Sequence, residues 1–245
     1  MRAPEFSADL YREITEFAHG TPSWVHSFAE IGTDAGLLVF AVLFVVGWWR
    51  ARGGDARAMG LALVAPVAVV AAYLVSEVSK SALQEERPCR AVAGAMNIVA
   101  CPAPGDWSFP SNHATIAAAS AAVIVVAWRA MAWLVMPLAV LMAFSRVFVG
   151  VHYPHDVAAG FTVGVVVAPL VAVLLVRAVA PLVAALRRVA VGAVLLGAGV
   201  PVEAVPSPAV AGGAAQTPPA GDAGTAVTRP DLMAIPGRNL EPPRR

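Results

Sequence analysis

The stretch that decides the fold is Met131–Val176, MAWLVMPLAVLMAFSRVFVGVHYPHDVAAGFTVGVVVAPLVAVLLV. Two apolar runs flank one polar island, Ser145-Arg146-Val-Phe-Val-Gly-Val-His152-Tyr-Pro-His-Asp156. Each run approaches the ~20 residues that carry a helix across a bilayer. The island is too polar for the bilayer interior and too short to be a domain, so it reads as a turn at a membrane boundary.

The rest of the chain repeats this pattern. Across 245 residues, 58% are hydrophobic and 13% charged, with mean hydropathy +0.71, outside the usual soluble range. Spans are expected at 31–49, 59–80, 112–128, 131–149 and 157–176, each rich in Ala, Val, Leu, Ile and Phe. The fold class is therefore all-α, a polytopic transmembrane helical bundle of five or six spans. Residues 1–30, broken by Gly20 and Pro22, read as an amphipathic interfacial helix and a loop. Residues 31–177 form the transmembrane domain. Residues 178–200 read as a membrane-surface helix or a sixth span, the latter opposed by Arg187 and Arg188 near its centre. From 201 to 245 the chain is rich in Pro, Ala and Gly with no apolar period, the composition of a disordered tail.

Arginines set the topology. Arg50, Arg52 and Arg57 lie in one connection, Arg129 in another, and Arg177, Arg187 and Arg188 follow the fifth span. Placing these on the cytoplasmic side satisfies the positive-inside rule and turns the 81–111 loop and the 150–156 turn outward. The expected location is the plasma membrane, with that polar face extracytoplasmic. A net charge of +1 offers no basic field for nucleic acid. Oligomeric state is not legible.

Two more polar islands fall on the outward face. Lys80-Ser-Ala-Leu-Gln-Glu-Glu-Arg87-Pro88 ends the second span, and Phe109-Pro110-Ser111-Asn112-His113 opens the third. Lys80, the only lysine beside sixteen arginines, joins Arg87 and Arg146 as a cation beside an apolar phase, where unpaired charge is costly. A shared phosphate would offset that cost. Ser111 reads as a helix N-cap, and N–H groups at that start, Asn112 included, add donors for an anion. Each residue has an ordinary explanation too: Lys80 can pair with Glu77 or snorkel, Arg87 can touch headgroups, and Ser111 can simply cap. Their joint appearance on one face with two histidines favours chemistry.

His152 and Asp156 are four residues apart, a spacing that lets a carboxylate hold imidazole Nδ1–H and leave Nε2 as a nucleophile. His113 is placed to act as general acid and then general base. No cluster of acidic ligands suited to Mg²⁺ or Ca²⁺ is evident, so metal independence and no cofactor are expected. His155, adjacent to Asp156, is expected at the rim. Cys89 and Cys101, the only cysteines, share the outward loop, where a disulfide and two free thiols are both open readings.

These islands resemble the three-part signature of the type 2 phosphatidic acid phosphatase superfamily of membrane lipid phosphatases. That pattern is Lys, six residues, Arg-Pro; then Pro-Ser-Gly-His; then Ser-Arg, five residues, His, three residues, Asp. The resemblance implies His152 as nucleophile, Asp156 as its partner, and His113 as acid and base. It also implies phosphate binding by Lys80, Arg87, Ser111 and Arg146. One position departs: Asn112 stands where the family commonly has Gly, and some undecaprenyl-diphosphate phosphatases of the bacitracin-resistance type carry Asp there. That subgroup also resembles this chain in overall plan. The implied activity is metal-independent hydrolysis of a lipid phosphate or diphosphate in the bilayer, polyprenyl (undecaprenyl) diphosphate first. Phosphatidic acid, phosphatidylglycerol phosphate and a polyprenyl-linked sugar phosphate are alternative substrates. A lipid phosphotransferase with the same intermediate and a nonenzymatic lipid-phosphate binder or transporter are the rival functions.

Overall fold

The structure is a computed structural model that describes residues 3–198. The expected tail at 201–245 lies outside the described residues. Among the described residues, eight α-helices follow in order: α1 Glu5–His19, α2 Ser23–Ala51, α3 Ala56–Leu83, α4 Pro88–Ala91, α5 Asn112–Ala127, α6 Ala132–Phe148, α7 Pro154–Leu186 and α8 Ala190–Leu196. A single 3₁₀ turn, Arg129–Met131, leads into α6, and no strand occurs among the described residues.

The five expected spans correspond to α2, α3, α5, α6 and α7. Four of these segments are long and apolar enough to cross a membrane; α5, with 16 residues, is shorter. It is also the most enclosed. Nearly every residue from Ala114 to Ile124 is buried, because α5 packs against α2, α3, α6 and α7.

Boundaries differ from the apolar runs. The 20–22 turn is brief and α2 begins at Ser23, so 23–30 is helix continuous with the first span rather than loop. At the other end α7 runs through Leu186, about 50 Å at 1.5 Å per residue. The described part of the expected 178–200 segment therefore divides between the last turns of α7 and the seven-residue α8, too short to cross. Arg187 explains the stop: it donates to Gly54 O (2.8 Å), Ala51 O (3.2 Å) and Leu196 O (2.9 Å), tying the end of α7 to the α2–α3 connection.

Small residues set the central contact. Gly160, Gly164, Ala168 and Ala172 recur every fourth position along α7 and are buried. A Cβ at Gly160 would lie 2.4 Å from Ser111 O, and one at Gly164 2.5 Å from Thr115 O. Without a hydrophobic drive between helices in lipid, such close backbone approach supplies the packing energy. It also aligns the start of α5 with the start of α7.

α1 lies at that same end. Tyr11 OH donates to Gly150 O (2.9 Å), while Phe6 and Phe17 stay exposed on its other face, as an interfacial helix requires.

Candidate active site

α3 carries the first cation. Lys80 sits in its last turn, buried, with its ammonium 3.8 Å from Glu77 and 3.7 Å from Asp106. The helix then ends on Gln84 in the left-handed conformation (φ 48°), whose N–H returns to Lys80 O. That turn swings Glu85–Arg87 back over the bundle end. Arg87, buried, is anchored on every side: Nε donates to Asp106 O (2.8 Å), Nη2 to Asp106 Oδ1 (2.8 Å), and Nη1 to Val151 O (3.0 Å) and His152 Nε2 (3.1 Å).

Arg87 has no acceptor to offer, so its contact with His152 assigns the tautomer. Nε2 must present its lone pair, which leaves the ring proton on Nδ1. Nδ1 lies 3.3 Å from Asp156 Oδ2 and 3.4 Å from Ser108 Oγ. Asp156 Oδ2 also accepts from Ser108 Oγ (2.5 Å) and from Tyr153 N (2.8 Å), closing the first turn of α7. Burial, reinforced by the positive charges of Arg87, Arg146 and Lys80, holds His152 neutral, well below the usual imidazole range.

The start of α5 contributes its backbone. Ser111 N donates to Asp156 O (3.0 Å), and the first intrahelical bond runs from Thr115 N to Ser111 O. The N–H groups of Asn112, His113 and Ala114 precede that bond and face the helix's positive end. Ser111 caps with its backbone alone, and its buried Oγ has no hydrogen-bond partner among the described residues. Arg146 Nε is likewise buried without a partner. Buried polar atoms left open are costly, and these two sit at the same end as Lys80, Arg87 and His152.

Other positions fall differently from the sequence reading. Asn112 turns its side chain away, accepting from Ser76 Oγ (2.8 Å) and donating to Glu77, so only its backbone N–H remains as an anion donor. His155 is no rim residue. Its ring stacks between Phe109 (5.6 Å) and Tyr153 (5.4 Å), with Nε2 2.9 Å from buried Glu85 and 3.2 Å from Asp156 Oδ1. Glu85, His155 and Asp156 are the set among the described residues whose ligand atoms could hold a cation, within 4.8 Å of one another; protonated His155 would balance the same two carboxylates. Cys89 and Cys101 form a disulfide, Cα–Cα 5.9 Å.

Sequence reasoning missed four groups. Asp34 faces His113 Nε2 at 3.2 Å. A carboxylate inside the apolar run 31–49 was a signal that pointed there. Ser108, Asp106 and Glu85 carried no such signal, because each acts through a loop whose course the sequence does not display. Gly150 (φ +84°) shapes one of these approaches: a Cβ there would lie 2.7 Å from Asn97 Cα.

Fold and site together define a polytopic helical membrane protein that gathers a His–Asp pair, a second histidine and three cations, Lys80 and Arg87 buried and Arg146 half-buried, at one end of its bundle. The family model of the PAP2 superfamily matches residues 61–180, just under half of the chain. The chain is 37% identical over 109 residues to an undecaprenyl-diphosphatase of Sulfolobus acidocaldarius, covering 44% of this chain and 51% of that protein. It is 25% identical over 159 residues to undecaprenyl-diphosphatase BcrC of Bacillus subtilis, covering 65% of this chain and 79% of that one. The chain thus spans about half the length of the first relative. The crystal structure of a transmembrane PAP2-type phosphatidylglycerolphosphate phosphatase from Bacillus subtilis shares the fold, with TM-score 0.53 and 23% identity over 70% of this chain and 87% of that one.

Proposed function

We propose that this protein hydrolyses a lipid phosphate or diphosphate, polyprenyl diphosphate foremost, through a phosphohistidine on His152. One observation carries the reading: a buried neutral imidazole with Nδ1 on Asp156 and Nε2 turned toward Arg87.

In the first step Nε2 attacks the terminal phosphorus and the bond to the bridging oxygen breaks. His113 gives that oxygen a proton as the lipid departs. Asp156 stabilises the charge that grows on the ring, while Lys80, Arg87, Arg146 and the α5 N–H groups hold the transferring oxygens. In the second step His113 takes a proton from water, and the resulting hydroxide attacks phosphorus. The P–N bond breaks, phosphate leaves, and Nε2 recovers its lone pair. Asp34 is positioned to orient the His113 ring.

The substrate class draws on the relatives' names and on one surface. An apolar groove of about 310 Å³ between α2 and α6 is lined by Val25, Phe28, Gly32, Leu141, Met142 and Phe144 and adjoins Ser145. It suits a prenyl chain beside the headgroup site. An extracytoplasmic site in the plasma membrane is favoured by the disulfide at that end and by the arginines at the other.

The test is phosphate release by purified protein in detergent with EDTA. Undecaprenyl diphosphate, phosphatidic acid and phosphatidylglycerol phosphate are compared, with His152→Ala as control. Release from the polyprenyl substrate that survives EDTA and disappears in the variant is expected. Full activity in His152→Ala would sink the mechanism.

A further inference from the structure

The phosphate subsite proposed above is not vacant of charge. Asp106 places one carboxylate oxygen 2.8 Å from Arg87 Nη2 and 3.7 Å from Lys80 Nζ, between two of the cations assigned to the substrate's phosphate. A tight turn presents it: Asp106 N donates to Ala103 O, and Gly105 takes φ +90°. The disulfide from Cys101 to Cys89 holds this segment near Arg87.

Two features distinguish Asp106 from an ordinary buried ion-pair partner. Its side chain is 47% exposed, whereas Lys80 and Arg87 are 8% and 5% exposed, so the cations are fixed and the anion can leave. Its backbone carbonyl separately accepts from Arg87 Nε, so Arg87 keeps one anchor on this residue if the carboxylate swings away. The group is also ionised at working pH. Partial burial opposes ionisation, but the hydrogen bond and charge of Arg87, with the charge of Lys80, outweigh it and hold the carboxyl below its usual range.

We infer that Asp106 is a resident counter-anion of the phosphate subsite, displaced by the substrate's terminal phosphate and returning to help expel the phosphate product. This rests on the reading of that subsite given under the proposed function. The physical logic is competition. Buried cations are costly without anions beside them; Glu77 approaches Lys80 alone, whereas the Asp106 carboxylate serves both Lys80 and Arg87 in the resting protein. A phosphate brings more charge and more acceptor oxygens, so it wins when delivered on a lipid that the bilayer also holds. Free phosphate lacks that second hold, and Asp106 tips the balance against it.

The experiment compares wild type with Asp106→Asn, which keeps the shape and the backbone carbonyl but removes the charge. Binding of inorganic phosphate to the detergent-purified protein is followed by calorimetry, and KM and phosphate inhibition by turnover. The variant is expected to bind inorganic phosphate about five- to tenfold more tightly, the scale of removing one charge a few ångströms away with water screening the pair, as the exposure of Asp106 allows. KM should fall in the same direction, and Asp106→Glu should stay near wild type. Unchanged or weaker phosphate binding in a folded Asp106→Asn protein overturns the inference, because Asp106 would then only orient the cations. So does the absence of measurable phosphate binding in both proteins. Phosphate binding needs no turnover, so this result is separable from the lipid reading, which fails instead if wild type releases no phosphate from any lipid.

Discussion

Arg146 and Arg187 sit at opposite ends of one bundle and show two uses of the same side chain. Arg187 is saturated: its guanidinium donates to the carbonyls of Ala51, Gly54 and Leu196 and closes three helix ends together. Arg146, half-buried in the last turn of α6, has a buried Nε with no partner among the described residues, near Arg87 and His152. One arginine completes backbone that the chain itself leaves open. The other leaves a buried donor open. Capacity left over beside a nucleophile is what marks a site, and charge count alone would not have separated the two.

That contrast makes its sharpest prediction when each arginine is removed. Arg146→Ala should lower kcat/KM by about a hundredfold or more, the scale of losing one donor to transition-state charge, with little change in thermal stability. Arg187→Ala should do the reverse, costing about 1.5–3 kcal/mol in stability through lost charge-assisted hydrogen bonds while the folded fraction turns over normally. Equal effects of both on kcat/KM, measured beside melting curves, would break the distinction.

A smaller effect is expected where packing seats the start of α5 against α7. Gly160 lets α7 touch the Ser111 carbonyl, and a Cβ there would meet it at 2.4 Å. Gly160→Val should cost about 1–3 kcal/mol by overpacking and lower kcat by displacing the start of α5. An unchanged melting temperature in that variant would mean that the α5–α7 contact is looser than described.

The gentlest perturbation is pH. The proposed chemistry needs neutral His152, so the acid limb of kcat/KM set by His152 should lie well below the usual imidazole range. Stability follows the same sign. It is full above the unfolded imidazole pKa and declines as pH falls through the window down to the depressed folded value, because the unfolded chain binds the proton first. An acid limb at the ordinary imidazole position, in a pH–rate profile, would contradict the burial argument.

Much of this was legible in the sequence, and the reasons are physical. Apolar runs and their polar interruptions report the bilayer directly, so five helices and the end that gathers Lys80, Arg87, His113, Arg146, His152 and Asp156 could be read from spacing. Helix ends could not: α7 continues past its apolar run until Arg187 finds carbonyls on another helix. Side-chain direction was hidden for a related reason. Asn112 turns toward Ser76 and Glu77 across a helix contact, and His155 turns inward because Phe109, Tyr153 and Glu85 surround it. Asp106 and Ser108 reach the site through a loop folded back by the Gln84 turn and the bond from Ser108 N to Glu85 O. Local spacing carries no trace of such contacts.

The most direct test of the central claim is to trap the covalent intermediate. Wild type and His113→Asn are mixed with undecaprenyl diphosphate labelled in its terminal phosphate, quenched in alkali, digested and mapped by mass spectrometry. The account predicts an acid-labile, alkali-stable phosphoryl group on His152, accumulating in His113→Asn because its hydrolysis lacks a base. Label on another residue, or turnover by wild type with no protein-bound phosphate at any time point, would contradict it.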